Sequence, residues 1–170
     1  MSISSNALLK TGWASLALVC IAAGCRSAPG YSVHRPGGYS GVQWVATGGS
    51  SALPPYPDAA KQAGVSGDVT FAAVLVEPGL VDRRTLTVLA VSDPRILEFA
   101  CPWIGQAQFS PVNNKVEAHE SGMTAIAIRY SPDSSTGRLV DPGEDAWSTV
   151  QTIKSDSAVA AYRRLQPQCH

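Results

Sequence analysis

His119 has the neighbours that come nearest to a catalytic arrangement in this sequence. It lies between two acids, Glu117 and Glu120, and a carboxylate beside a histidine can tune the imidazole as a general base. A polar surface strand explains the same three residues. The chain contains no Gly-x-Ser-x-Gly, Ser-x-x-Lys, His-Glu-x-x-His or phosphate-loop motif, and in residues 38–42 Val42 holds the place of the second glycine of the first motif. We therefore predict that the protein is not an enzyme.

The balance of charge and the positions of the histidines argue against several classes of site. Lysine and arginine together number 13, and aspartate and glutamate also number 13, so the chain lacks the basic excess of a nucleic-acid-binding protein. His34, His119 and His170 are scattered, and no two of them lie at a metal-ligand spacing with a cysteine. We predict no nucleic-acid partner, no metal site and no cofactor.

Two pairs of arginines are found in this balanced sequence. Arg83-Arg84 lies beside a predicted hairpin turn, and the solvated tip of that turn is the simpler interpretation. Arg163-Arg164 lies near the C terminus, where it could pair with acidic partners, although a solvated helix face is again the simpler interpretation.

Residues 1–24 have the layout of a secretory signal peptide. Lys10 is their only charged side chain, and the mostly apolar run that follows, about fourteen residues, is too short to span a bilayer. Residues 22–25 (Ala-Ala-Gly-Cys) resemble the lipobox of bacterial lipoproteins, in which the cysteine thiol carries a diacylglyceryl group. The resemblance implies lipidation of Cys25, and Arg26 in place of aspartate implies the outer membrane. The alternative is a plain signal peptide or a short anchor with a chance cysteine.

The lipoprotein resemblance bears on the other cysteines. If the lipid takes Cys25, the mature chain retains Cys101 and Cys169 in an oxidising compartment, where a disulfide between them is the natural expectation. The alternative is that Cys101 is a small buried residue and Cys169 is unpaired near the chain end.

Composition divides the chain into four segments. Residues 25–53 are rich in glycine, serine and proline, which predicts a flexible lipidated tether, although Trp44 and Val45 could dock locally. The predicted signal peptide over 1–24 precedes the tether. A folded domain over 54–131 and a C-terminal extension with a short helix over 132–170 follow it.

Local patterns predict the first elements of the folded domain. Pro57 and Asp58 suit the first turn of a short helix. Residues 68–76 alternate in polarity, as a strand does when Val69, Phe71, Ala73 and Leu75 share a buried face. The dipeptide 78–79 (Pro-Gly) fits a type II turn into a second strand, over 85–90, so the two strands form an antiparallel hairpin.

A second helix and a third strand complete the predicted domain. Asp93 and Pro94 open the helix, whose buried stripe includes Ile96 and Ala100, and Pro102 should kink or end it. A loop over 109–114, a strand over 123–130 and a terminal helix over 158–165 follow. This element order predicts an α+β fold with a three-stranded antiparallel sheet in the order 2-1-3 and two helices on one face, which leaves the third strand as an edge.

Motifs along this region resemble the C-terminal domain of the TonB family. That domain opens with Tyr-Pro, an alanine-containing helix and Gly-x-Val, and it closes with Phe-x-Pro and an aliphatic strand ending in an aromatic residue. The corresponding residues here are Tyr56-Pro57, Ala59-Ala60, Gly67-Asp68-Val69, Gly79 and Val81 in the hairpin turn, Phe109-Ser110-Pro111, and the strand ending in Tyr130. Ala107 departs from the family's tryptophan. The membrane-spanning anchor and the long proline-rich spacer of TonB are missing from this sequence.

The resemblance implies a lipid-anchored, periplasm-facing envelope protein that captures an extended peptide of a partner, such as a TonB-dependent outer-membrane receptor. The edge strand is the expected binding site, because strand addition would satisfy its unpaired backbone groups. Its residues are Met123, Thr124, Ala125, Ile126, Ala127, Ile128, Arg129 and Tyr130. The rival occupants of this edge are the protein's own tail over 131–170 and a second copy in a homodimer. The alternative function is a structural envelope lipoprotein that packs into a multiprotein or cell-wall complex.

Overall fold

The computed structural model describes residues 32–33, 44–46, 53–76, 79–111, 122–165 and 168–169. It has an α+β fold with a largely antiparallel sheet, which confirms the predicted class. The strands are β1 (Ser32–Val33), β2 (Trp44–Ala46), β3 (Gly67–Val76), β4 (Leu80–Val81), β5 (Thr87–Val91), β6 (Phe109–Pro111), β7 (Gly122–Tyr130) and β8 (Arg138–Val140). The helices are α1 (Asp58–Gln62), α2 (Leu97–Ile104), α3 (Glu144–Thr152) and α4 (Asp156–Arg163), and a 3-10 turn at Pro94–Ile96 leads into α2.

The main sheet is built around β3. On one side β3 pairs with β7 along nine positions from Gly67↔Tyr130 to Leu75↔Gly122, and on the other side it pairs with β4 and β5. The outer side of β7 carries β8 in antiparallel and β1 in parallel orientation. The predicted count of three strands was therefore too low, and the strand order differs in detail, because the short strands β1, β4 and β8 join the sheet.

The first face of the sheet is covered by α1 and α2. Residues of β3 and β7 that alternate toward this face pack with Ile96 of the 3-10 turn and Ala100 of α2, two members of the predicted stripe. Asp93 accepts a hydrogen bond from the Arg95 amide and so caps the turn that leads into α2. Pro102 does not end the helix. It lies on the exposed side, where water can reach the carbonyl group that proline leaves unbonded, and α2 continues to Ile104.

The second face is covered by α3 and α4, which belong to the predicted C-terminal extension. Trp147, Val150 and Val159 from these helices pack with Ala72 and Met123 of the sheet. Only the terminal helix was predicted, and α3 was missed although Ala146, Trp147, Val150 and Ile153 have helical spacing. Helices therefore lie on both faces of the sheet rather than on one, because β3 and β7 are apolar on both sides.

A β-bulge changes the direction of side chains in β5. The register shifts between Thr70↔Ala90 and Phe71↔Val88, so Leu89 is the extra residue opposite β3. Val88 faces the core on the first face of the sheet, whereas Ala90 pairs opposite Thr70 and is exposed. The predicted strand over 85–90 therefore does not keep a regular two-residue alternation, because an inserted residue reverses the period.

Two short segments of the predicted tether also pair with the fold. Ser32 and Val33 pair with Gly122 and Met123, and the segment Trp44–Ala46 pairs with β6. The predicted loop over 109–114 therefore begins with a strand. These segments join the fold by backbone pairing rather than by burial of a long apolar run, and composition alone does not reveal backbone pairing.

Candidate functional site

The outer side of β5 is an edge that no described strand covers. The inner side of β5 pairs with β3, and its outer side has no strand partner within the described ranges. β5 has five residues, with no charge and no proline among them. By contrast β8, the strand on the opposite side, has three residues, begins with Arg138 and is followed closely by Pro142. Short length, charge and proline are devices that prevent pairing at an edge, and β5 has only its bulge.

Hydrogen bonds of β3 identify the backbone groups of β5 that point outward. The Ser92 amide donates to the Asp68 carbonyl at 2.9 Å, and the Val74 amide donates to the Thr85 hydroxyl at 2.8 Å. The backbone N–H and C=O groups of even-numbered residues of β3 therefore point toward β5, and those of odd-numbered residues point toward β7. Val91 lies opposite Val69, so its N–H and C=O groups point away from β3. They are available to an added strand.

The two arginine pairs of the sequence meet beside the start of β5. Arg83 donates through Nε to the Gly105 carbonyl at the end of α2, at 2.7 Å. Arg163 donates through Nη1 to the carbonyl oxygen of Arg84, at 2.8 Å, although 79 positions separate them in the chain. We call Arg83, Arg84, Arg163 and Arg164 the arginine group. Their proximity could not be predicted from spacing, because it depends on α4 packing beside β5.

Only part of the charge of this group is neutralised by an ion pair. Arg84 forms a bidentate pair with Asp82, and this hydrogen bonding lowers the pKa of the Asp82 carboxyl below its ordinary value. Arg163 donates to neutral groups, namely the Arg84 carbonyl and the Gln168 side chain. Arg83, Arg163 and Arg164 have no acidic ion-pair partner among the residues that the structure describes.

A disulfide fixes the C-terminal tail next to the arginine group. Cys101 and Cys169, the predicted pair, are joined in the structure, with their Cα atoms 5.3 Å apart. The Gln168 side chain bonds to Arg163 through both its oxygen and its nitrogen. The cystine therefore holds the residue that orients Arg163 on α4.

The predicted partner-binding strand is not an open edge. β8 occupies the outer side of Ala127, Ile128 and Arg129, and β1 occupies that of Gly122 and Met123. All of the predicted binding residues are buried within the chain except Arg129, namely Met123, Thr124, Ala125, Ile126, Ala127, Ile128 and Tyr130. The open-edge prediction for this strand was wrong, because the tail that follows Tyr130 turns back to pair with it.

Cys25, the predicted lipidation site, lies outside the described residues, and so does His119, for which no catalytic role is predicted. In the described ranges there is no group of three His, Cys, Asp or Glu side chains that could hold a metal ion. Among the same residues no helix has the length and apolar character needed to cross a membrane.

No protein-family model, curated protein or solved structure matches this chain.

Proposed function

We propose that this protein is a lipid-anchored binding module of the bacterial cell envelope, with a TonB C-terminal-like domain and no catalytic activity. In this proposal Cys25 carries the lipid, and the domain faces the periplasm from the outer membrane. The domain binds an extended segment of an envelope protein, such as a TonB-dependent receptor.

The outer side of β5, which has no strand partner among the described residues, is the observation that carries the binding part of this proposal. It replaces β7 as the expected point of strand addition, since β8 and β1 already occupy β7. Main-chain bonds to Val91 would supply affinity, and the exposed Ala90 leaves room for side chains of the added strand. The TonB-like part is supported by the pairing of β3 with both β5 and β7, and by α1 and α2 on one face.

Two proline variants at matched positions test strand addition. Val91→Pro deletes an amide that points outward from β5. Leu139→Pro deletes an amide of β8 that also points outward, because Leu139 lies opposite Ile128, whose backbone faces β3. Both side chains are partly buried against the same core, so the two variants have similar consequences for folding.

The measurement is photo-crosslinking in cells from a photoreactive residue at Ala90, with the exposed Ser148 of α3 as the control position. We expect one envelope protein to crosslink at position 90, and we expect Val91→Pro but not Leu139→Pro to abolish the product. Equal products from positions 90 and 148, or a product that survives Val91→Pro, would contradict strand addition. A crosslinked second copy would instead indicate a homodimer, and a fixed set of products insensitive to both prolines would favour the structural lipoprotein.

A further inference from the structure

We infer that the arginine group, together with two exposed leucines, docks on an anionic lipid surface. This inference rests on the proposed lipid anchor for its orientation, and it adds a second membrane contact that the folded domain itself provides. The diacylglyceryl group of the proposed anchor would hold the chain to the bilayer, and a basic patch would add an electrostatic contact between the folded domain and anionic lipids.

The first line of support is the position of the arginine group on the sheet. Arg83 and Arg84 follow β4, which pairs with Leu75 and Val76 at the C-terminal end of β3. The start of β1 lies at this same end, because Ser32 pairs with Gly122 and Gly122 pairs with Leu75. Ser32 comes seven residues after Cys25, so the chain between them reaches at most about 25 Å when it is fully extended.

A lipid on Cys25 would therefore hold this end of the sheet close to the bilayer. The opposite end of the sheet, marked by Gly67 and Tyr130, lies at the other end of the ten-residue strand β3. A strand of that length adds about 30 Å to the distance from the anchor.

The second line of support is exposed apolar surface beside the charge. Leu165 follows Arg164 directly and is 81% exposed, and Leu80 of β4 is 42% exposed at the same end of the sheet. Arginines that meet headgroup phosphates beside leucines that enter the acyl boundary are the composition of an interfacial contact. Arg83, Arg163 and Arg164 supply the positive charge, since Arg84 is already paired with Asp82.

Vesicle partitioning of the full chain tests this inference. The measured quantity is the ratio of the partition coefficient on phosphatidylcholine vesicles containing phosphatidylglycerol to that on phosphatidylcholine alone. The apolar N-terminal segment contributes to both coefficients, so the ratio isolates the part of binding that depends on lipid charge. We expect Arg164→Gln to lower the ratio about fivefold, and we expect a larger loss in the double variant with Arg163→Gln.

Matched controls lie at the opposite end of the sheet. Arg138 is also an exposed arginine, on β8 next to Arg129, and Arg138→Gln should leave the ratio unchanged. Leu165→Ser should weaken binding to both kinds of vesicle. Leu53→Ser should not, since Leu53 is also exposed, at 54%, but adjoins Pro54, whose carbonyl accepts from the Gly137 amide at the other end of the sheet.

The outcomes separate this inference from the proposed anchor. A ratio that falls equally in Arg138→Gln and Arg164→Gln would overturn the inference, because net charge alone would then explain binding. A wild-type ratio near one would also overturn it, and an acidic protein would then be the expected partner of the arginine group. If Cys25→Ala keeps the wild-type ratio while intact mass shows no lipid on the native chain, the arginine contact stands and the anchor fails.

Discussion

Tyr56 and Tyr130 pack edge to face with their ring centroids 5.3 Å apart, and their hydroxyl groups have different surroundings. The Tyr56 hydroxyl donates to the Val65 carbonyl, which ties the segment before α1 to the residues after it. The Tyr130 hydroxyl is buried and has no hydrogen-bond partner among the described residues. Burial raises the pKa of Tyr130 above its ordinary value, because the charged form would be poorly solvated there.

Replacing each of these tyrosines with phenylalanine should have opposite consequences for stability. Tyr56→Phe leaves the Val65 carbonyl without its donor, and we expect a loss of about 1–2 kcal/mol in the free energy of unfolding. Tyr130→Phe removes a buried hydroxyl that bonds to nothing described, so its stability should equal or exceed that of the native chain. Urea unfolding at neutral pH measures both. A loss in Tyr130→Phe as large as that in Tyr56→Phe would show that the Tyr130 hydroxyl has a partner.

Two glycines with positive φ differ in the space around them. Gly79 has a φ of +98°, and a Cβ built there would clash with the Phe109 carbonyl oxygen. Gly143 has a φ of +81°, and no described atom lies within 4 Å of a Cβ built there. We expect Gly143→Ala to cost about 1–3 kcal/mol from backbone strain alone, because φ 81° with ψ 164° is a conformation that essentially only glycine adopts. Gly79→Ala should cost about 1–3 kcal/mol more, because the chain near Phe109 must also move. Equal losses in urea unfolding would contradict the close approach of Gly79 to Phe109.

The cystine should contribute substantially to the stability of the fold. It closes a loop of 68 residues between Cys101 and Cys169, and the chain-entropy argument gives about 4 kcal/mol for such a loop. Cys169→Ser should lower the free energy of unfolding by an amount approaching this figure under oxidising conditions. A reductant should lower the stability of the native chain by a similar amount and leave the variant unaffected. If the reductant destabilises Cys169→Ser equally, the effect does not come from this bond.

A cross-strand ion pair makes stability depend on pH in the acid range. Arg129 donates through Nε and Nη2 to the two carboxylate oxygens of Asp68, at 2.8 Å each, directly across β3 and β7. This hydrogen bonding lowers the pKa of Asp68 below its ordinary value of 3.8. The stabilisation is therefore fully present above the unfolded-state pKa and is lost as the pH falls through the lowered folded-state value.

Asp68→Asn should remove this part of the pH dependence and cause only a small loss at neutral pH, since both side chains are largely solvated. Unfolding curves between about pH 2 and pH 6 measure the effect. Arg129→Gln should flatten the same part of the curve, and the double variant should resemble either single variant. If Asp68→Asn keeps the pH dependence of the native chain, the acid sensitivity comes from other carboxylates.

The elements that could be predicted from sequence are those with a strong local signal. Alternation in β3 and β7, the apolar stripe of α2 and the Asp93 cap each depend on residues close together in the chain. Tyr56 and Tyr130 are far apart in sequence, and in the structure their rings are in contact. β8 and β1 were missed because strands of two or three residues have too few positions to show a period.

The candidate site was harder to predict because it depends on contacts between residues that are far apart in the chain. Both arginine pairs were visible in the sequence, but only the packing of α4 beside β5 brings Arg163 to the Arg84 carbonyl. The choice of edge also depended on the tail, since β8 covers β7 and leaves β5. The tail over 131–170 was named as a rival occupant of the β7 edge, and residues 138–140 of that tail do pair with β7.

The pairing of β8 with β7 has a consequence for how the chain folds as it is synthesised. A growing chain emerges from its N terminus, so β3, β5 and β7 are complete before residues 138–140 arrive. Until then β7 offers an apolar edge to other newly made chains, and α3 and α4 have not yet covered Ala72 and Met123. The last part of the chain to be synthesised is therefore the part that ends the risk of aggregation. A chain that stops after Tyr130 should accumulate as aggregates even though its central hairpin is intact.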